Sequence, residues 1–168
     1  PGDYLTGTLR LRDNVTLYIE AGATLRGSAQ MADYELPHLI VAEEATDVGI
    51  AGPGRIDGQG DTFWEKLESV PDELEARKLF GGWAPMFAYR TKERPVALLL
   101  FRRCRNVRIE KVQIENSPNW TVHLLACRSA WVRGVRIRSP LHGYTSDGID
   151  INACQDVMIS DCDITVAD

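Results

Sequence analysis

The fold of this chain is indicated by one repeated pattern: CRNVRIEKVQI at residues 104–114, CRSAWVRGVRI at residues 127–137 and CQDVMISDCDI at residues 154–164. Each segment begins with cysteine and has an apolar residue or cysteine at its fourth, sixth, ninth and eleventh positions. The segments start 23 and 27 residues apart. The alternation within each segment predicts strands, and a repeat of this length predicts a solenoid. We therefore expect parallel strands stacked about 4.8 Å apart, with the apolar positions forming ladders inside.

The chain before the repeats also alternates between short strands and turns. Residues 4–11, 15–20, 23–27, 39–43 and 48–60 are rich in β-branched residues and are separated by glycine and polar turn residues. The connections are too short for crossover helices. The sequence therefore predicts an all-β solenoid, with a fainter copy of the repeat at Val48, Ile50 and Ile56.

Residues 61–94 interrupt this pattern. Residues 63–68 and 72–80 are compatible with helix, with Pro71 near a helix start and Gly81-Gly82 at a helix stop. We expect a short helical insertion here. Its aromatic and arginine content suits the wall of a cleft, and a plain surface insertion with a small apolar anchor fits equally well.

The chain has four cysteines, Cys104, Cys127, Cys154 and Cys162, and none forms a CxxC pair. This spacing does not favour a zinc site, and no metal is expected. Because three of them begin the repeats, we interpret them as a ladder of small buried hydrophobic residues. Cys162 would extend the row of Val112 and Val135.

Composition limits the classes of partner. The 168 residues suffice for one domain, and their net charge of −5 gives no general attraction for nucleic acid. No apolar run approaches the roughly 18–20 residues of a membrane span, so no membrane partner is expected. The chain starts at Pro1 without methionine and ends within a motif. We expect residues 1–168 to be part of a single domain that is truncated at both ends.

Acidic residues near the end of the chain suggest chemistry. Asp147 and Asp150 flank Gly148, and Asp168 follows Asp147 by 21 residues, which is close to one turn of the solenoid. They should therefore lie on adjacent coils of one sheet. Two carboxyl groups on neighbouring coils could work as an acid and a base, because crowding raises the pKa of one of them. Aspartates in a solenoid can also be simple turn residues.

Five motifs in order now suggest a family: YLTGTL at 4–9, EAGATL at 20–25, GRIDGQG at 54–60, SPNWTVH at 117–123 and SDGID at 146–150. Through these motifs the whole chain resembles glycoside hydrolase family 28, the polygalacturonase family. The resemblance implies a right-handed parallel β-helix and a pectic polysaccharide or oligogalacturonide as substrate. It also implies no cofactor, a monomer, and a secreted or periplasmic location.

The resemblance also assigns roles to single residues. The family motif Asn-Thr-Asp-Gly-(Ile/Phe)-Asp corresponds to residues 145–150, so Asp147 would be the catalytic base. Asp168 would be the general acid. Asp150 is a candidate substrate-binding residue; it could hydrogen-bond the backbone of its turn or support Asp147, and we expect the supporting role. Thr145 stands where the family has an asparagine that contacts substrate, which affects the binding mode and leaves the carboxylate in place.

Two histidines and several cations are further candidates. His123 and His142 could line the same cleft, although an ordinary structural histidine fits as well. Galacturonate is anionic and needs cationic partners. The candidates for this role are Arg102, Arg103, Arg105 and Arg108, many of which could equally be solvated.

Three functions remain open at this point. The first is an inverting glycoside hydrolase, for which the insertion at 61–94 slightly favours attack on chain ends. In the family, a second aspartate and the Gly-His-Gly and Arg-Ile-Lys motifs follow, so the 168 residues alone are expected to be inactive. The second function is a polysaccharide lyase, against which the SDGID motif argues. The third is a non-catalytic carbohydrate-binding solenoid.

Overall fold

The computed structural model describes residues 1–68 and 89–168. These residues form eighteen strands and two 3₁₀ helices, at Met31–Asp33 and Gly60–Phe63. The strands are β1 (Gly2–Thr6), β2 (Leu9–Leu11), β3 (Thr16–Tyr18), β4 (Ala23–Gly27), β5 (Ile40–Glu43), β6 (Thr46–Ala51), β7 (Arg55–Asp57), β8 (Trp64–Lys66), β9 (Tyr89–Thr91), β10 (Ala97–Arg102), β11 (Arg105–Glu110), β12 (Gln113–Glu115), β13 (Trp120–Leu125), β14 (Arg128–Arg133), β15 (Arg136–Arg138), β16 (Ile149–Asn152), β17 (Gln155–Ser160) and β18 (Asp163–Thr165).

Apart from β8 and β9, successive strands lie in three parallel sheets, which the chain visits in a fixed order. Sheet A is β1-β4-β7-β12-β15-β18, sheet B is β2-β5-β10-β13-β16 and sheet C is β3-β6-β11-β14-β17. After β1, the chain passes five times through sheet B, sheet C and sheet A in turn. Every pairing within these sheets is parallel, so the predicted parallel β-helix is confirmed.

The repeats stack in register, as the sequence predicted. Val107 pairs with Ala130, and Ala130 pairs with Val157. All four cysteines are free; Cys104 and Cys127 are buried, whereas Cys154 and Cys162 are half-buried on the last coil. Each ladder thiol donates to a carbonyl of the preceding coil: Cys104 to Ala42, Cys127 to Phe101 and Cys154 to Leu124.

Except on the first coil, each turn from sheet B to sheet C begins with one residue that has a left-handed backbone. Glu44, Arg103, Ala126 and Ala153 occupy this corner with φ of 53–55°. The next residue points inward beneath the corner and must be small. Its column is therefore Ala45, Cys104, Cys127 and Cys154.

The core is one column of apolar residues enclosed by the three sheets. Ile56, Ile114 and Ile137 stack in sheet A and are fully buried. Ile164 continues this column on β18 and is 40% exposed. Ile164 thus differs in burial from the three other isoleucines of the column, because β18 is the last strand of this sheet in the 168 residues.

The insertion differs from its prediction. Residues 63–68 do not form a helix: after the 3₁₀ turn at Gly60–Phe63, β8 pairs antiparallel with β9. A six-residue helix is marginal by itself, and pairing with Tyr89–Thr91 satisfies the same backbone groups while Trp64 is buried. The second predicted helix, 72–80, lies outside the described residues. Within the described parts of the chain, no helix is long and apolar enough to cross a membrane.

Candidate active site

Asp147 lies where the chain enters sheet B. The amide of Thr121 donates to the Asp147 carbonyl at 2.8 Å, and the amide of Val122 donates to the Gly148 carbonyl at 3.1 Å. These bonds extend the β13 ladder ahead of β16. The backbone of Asp147 is therefore fixed by the preceding coil, although its side chain stands outside the regular strand.

The outer face of sheet B presents polar side chains beside Asp147. Asp150 on β16 is in register with His123 on β13. His123 Nε2 lies 2.9 Å from Asn152 Oδ1, and its ring meets Trp120 edge-on at 4.9 Å. Burial lowers the pKa of His123. The structure thus places His123 on the coil below Asp150, as the sequence suggested.

The carboxylates form a group with unused hydrogen-bonding capacity. The Oδ2 atoms of Asp147 and Asp150 are buried and have no hydrogen-bond partner within the described residues. Burial raises the pKa of Asp147, and the charge of Asp168 raises it further. Burial raises the pKa of Asp150 to about 6, with further contributions from Asp147 and Asp168. The structure therefore brings the three predicted acids together, and such a group can hold and release a proton at mildly acidic pH.

The loop before Asp147 is held by a tight turn. The backbone amide and the hydroxyl of Ser146 both donate to the Gly143 carbonyl, at 2.7 Å and 2.6 Å. A Cβ on Gly143 would lie 3.1 Å from Ser146 Oγ and 3.3 Å from Trp64. Ser146 is fully buried. The glycine therefore lets the loop pack closely between this turn and the insertion.

Arg94 joins this loop to the base of the insertion. Its Nη2 donates to Thr145 Oγ1 at 2.9 Å, and its Nη1 donates to the carbonyl of Pro118 at 2.9 Å. Its guanidinium carbon lies 4.4 Å from the centre of the Trp64 ring. Thr145, the candidate substrate contact, is therefore already engaged by a cation from within the chain.

His142 faces the insertion. Its ring stacks on Tyr89 with centroids 4.2 Å apart and lies edge-on to Trp64 at 6.1 Å. Its Nε2 is 3.5 Å from Asp61 Oδ1. Trp64 also meets Tyr144 edge-on at 5.1 Å. These contacts place the ends of the insertion against the loop that leads to Asp147.

The arginines that could bind a substrate carboxylate do not all lie on the same sheet. Arg102 lies on sheet B and pairs with Glu43, and Arg103 at the corner pairs with Glu44 at 3.0 Å. Arg105 and Arg108 lie on β11 in sheet C, away from the sheet that carries Asp150. The structure therefore does not bring the last two to the carboxylates.

Two residues near the site escaped sequence analysis. Arg94 sits in the interrupted segment, where no periodicity marks it. His38 precedes β5; its Nδ1 lies 2.9 Å from the Ala97 carbonyl. Burial lowers the pKa of His38, and the nearby charge of His123 lowers it further. Only the stacking of coils brings His38 close enough to His123 for the charge of one to affect the pKa of the other.

Comparison with known proteins supports one family. The model of the glycosyl hydrolases family 28 matches residues 2–168. A probable polygalacturonase from Vitis vinifera is 27% identical over 99% of this chain and 34% of its own length. An endo-polygalacturonase from Pectobacterium carotovorum subsp. carotovorum is 26% identical over 98% of this chain and 43% of its own length.

Solved structures show the same similarity. The polygalacturonase from Erwinia carotovora ssp. carotovora superposes with a TM-score of 0.76 and 26% identity, covering 98% of this chain and 46% of that one. A hyperthermoactive exopolygalacturonase from Thermotoga maritima gives 0.75 and 25%, covering 99% and 44%. The chain spans 34%, 21% and 28% of the first three curated relatives.

Proposed function

The chain belongs to the family 28 glycosyl hydrolases, and from this premise we propose that it carries catalytic carboxylates of an inverting glycoside hydrolase that acts on pectic polysaccharide. The observation that carries the proposal is the group of Asp147, Asp150 and Asp168. Two of these acids have buried oxygen atoms without a hydrogen-bond partner among residues 1–68 and 89–168, and the pKa values of the same two are raised. The bond proposed to be cleaved is an α-1,4-galacturonosyl or related linkage.

The proposed reaction divides two proton transfers between these acids. Asp168 donates a proton to the leaving glycosidic oxygen as its bond to the anomeric carbon breaks. Asp147 accepts a proton from the water that adds to the opposite face of that carbon. Asp150 stays largely protonated below its pKa of about 6, which limits the negative charge beside the other two. This arrangement follows the general requirement of inverting glycosidases for an acid and a base on opposite sides of the ring.

Substrate binding is proposed along the outer face of sheet B. Hydrogen-bonding groups are offered by Asn152 on the same strand as Asp150, by His123 on the preceding coil and by His38 three coils before Asp150. Thr145 and His142 remain candidates at the edge next to the insertion. We propose that the insertion at 61–94 closes one end of this cleft, which favours attack on chain ends. Its support is the contact of Trp64 and Tyr89 with the loop that leads to Asp147.

We further propose that residues 1–168 are part of one longer β-helix domain. This is supported by the share of the relatives that the chain covers and by the even succession of coils. The experiments on activity therefore use the full-length protein.

The test replaces Asp147 with asparagine in the full-length protein. We expect polygalacturonate hydrolysis to fall about 10²–10⁴-fold, the usual contribution of a positioned acid or base. Reducing-end assays measure the rate, NMR of the newly formed anomer measures inversion, and circular dichroism checks the fold. Asp156→Asn, at an exposed position on β17, is the matched control and should keep full activity.

Two results contradict the proposal. A folded Asp147→Asn protein with undiminished hydrolysis would remove the role of this aspartate. Products that absorb as 4,5-unsaturated uronates, formed in a reaction sensitive to chelator, would identify a lyase instead.

A further inference from the structure

Three arginines gather on the outer face of sheet C. Arg105 and Arg108 lie on β11, Arg128 lies on β14, and all three are exposed. Arg105 is in register with Arg128 on the neighbouring strand. Adjacent strands are about 4.8 Å apart, and like charges directly opposite each other repel. This face therefore concentrates positive charge in a chain whose net charge is −5.

Arginines on the other faces are paired with acids. In sheet A, Arg26 contacts Asp57 at 3.3 Å, Arg55 contacts Glu115 at 3.4 Å and Arg136 contacts Asp163 at 3.5 Å. By contrast, no carboxylate of residues 1–68 or 89–168 lies within 4.0 Å of a guanidinium nitrogen of Arg105, Arg108 or Arg128. The three guanidinium groups are thus available to an external anion.

An aromatic ring lies beside these charges. Trp131 is in register with Arg108, whose guanidinium carbon lies 5.7 Å from the ring centre. The ring borders an open depression of about 340 Å³, whose other lining residues include Met158 and Arg133. Arg133 is bound to Asp161 at 3.2 Å, and Glu110 is the acid that lines the depression. The depression therefore combines the apolar surfaces of Trp131 and Met158 with one guanidinium, that of Arg108, that has no acidic partner within the described residues.

We propose that this arginine face, defined by Arg105, Arg108, Arg128 and Trp131, is a second binding site for a carboxylated polysaccharide. Guanidinium groups bind carboxylates through paired, charge-assisted hydrogen bonds. The indole ring offers a surface for the apolar C–H face of a sugar. The identity of the polymer as pectic rests on the proposed function, whereas the existence of the site does not.

The location of the face separates it from the catalytic group. Its residues project from sheet C, whereas Asp150 and His123 project from sheet B. A polymer held on sheet C leaves the sheet B cleft free. One long chain bound at both faces would raise the local concentration of substrate at the cleft. The effect should appear with long substrates and be absent with short ones.

The test measures binding of polygalacturonate to the full-length protein by isothermal titration calorimetry. Asp147→Asn is present throughout so that the ligand is not consumed. The variant Arg105→Gln/Arg108→Gln/Arg128→Gln should bind at least about tenfold more weakly, and high salt should reduce the remaining difference. Trp131→Ala, tested separately, should also weaken binding. Fully methyl-esterified pectin, which lacks the carboxylate charge, should not distinguish the parent protein from the triple variant.

The matched control removes three arginines from sheet A. Arg26→Gln/Arg55→Gln/Arg136→Gln changes the net charge equally but removes arginines that already have acidic partners. An equal loss of affinity in this control, or unchanged affinity in the sheet C variant, would overturn the proposal. Stronger binding of a single-stranded oligonucleotide than of polygalacturonate at the same face would also overturn it.

Hydrolysis assays distinguish a failure of this second site from a failure of the proposed function. With Asp147 intact, the sheet C variant should cleave a short oligogalacturonide at the parent rate and a long polymer more slowly at low substrate concentration. Inactivity of the parent protein on both substrates would contradict the proposed function alone, since binding at sheet C is measured independently.

Discussion

Arg94 Nη2 donates a hydrogen bond of 2.9 Å to Thr145 Oγ1, linking residues 51 positions apart in sequence. The second nitrogen, Nη1, holds the Pro118 carbonyl at the start of the preceding coil. The guanidinium thus ties the insertion, the coil before β13 and the loop before Asp147 to one another. Its stacking on Trp64 keeps it in place, and burial lowers its pKa without removing its charge.

We expect Arg94→Lys to reduce kcat by about 10²-fold, because a misplacement near 1 Å is enough for a loss of this size. Lysine keeps the charge but cannot bridge Thr145 and Pro118 with a planar fork. Since Arg94 acts by positioning the loop, KM should change much less than kcat, and both are measured with oligogalacturonide in the full-length protein. Thr145→Ser, which retains the acceptor oxygen, should keep more activity than Thr145→Val.

Arg90→Lys is the control for Arg94→Lys. Arg90 lies on β9, four residues before Arg94, and makes an exposed ion pair with Glu65 at 2.9 Å, so its replacement should be nearly neutral. Equal kinetic losses in the two lysine variants would contradict a specific role for Arg94.

The pKa of Asp150 predicts a dependence of stability on pH. In the folded chain this pKa is raised to about 6, whereas an unfolded aspartate titrates near about 3.9. Between these two values the folded state binds more protons. The free energy of unfolding therefore falls as pH rises from about 4 to about 6.

Asp150→Asn should remove this penalty. The full shift corresponds to about 3 kcal/mol, and we expect a gain of about 1 kcal/mol at pH 7 because partial exposure screens the charge. The gain should vanish toward pH 4. Urea denaturation at both pH values measures it, with Asp156→Asn as the exposed control. A gain of the same size at both pH values would show that the carboxyl charge is not its cause.

The isoleucine column predicts a gradient of stability. Ile137→Ala should lower the free energy of unfolding by about 2–5 kcal/mol, because the side chain is fully buried between two coils. Ile164→Ala removes the same atoms from the same column, but its side chain is 40% exposed. In the 168-residue chain its effect should be clearly smaller. Similar losses measured by denaturant titration would contradict the burial along this column.

The proposed closure of the cleft predicts the pattern of products. If the insertion blocks one end, early digestion of polygalacturonate should release one small sugar, because only a chain end can reach the carboxylates. Anion-exchange chromatography of samples taken at low conversion measures this. A ladder of oligomers at the earliest times would indicate cleavage within the chain and refute the closure.

The residues of the repeat show how much of the fold was predictable. Cysteine at 104, 127 and 154 predicted the register of the coils because parallel stacking requires equivalent side chains at equivalent positions. The helix expected at 63–68 was wrong, since Trp64–Lys66 pairs with a strand more than twenty residues away. Local propensity carries no information about such a partner.

The candidate site, like the fold, was predictable from the sequence only in part. The sequence by itself predicted that Asp147 and Asp168 lie one coil apart, because a spacing of 21 residues is close to the length of one repeat. Only the tertiary structure decided which other groups meet them. It brought Arg94 to Thr145, turned His142 toward Tyr89 and carried Arg105 and Arg108 to another sheet. The repeat determines position along the solenoid axis, whereas contacts across an insertion and around the coil depend on three-dimensional packing that no periodicity encodes.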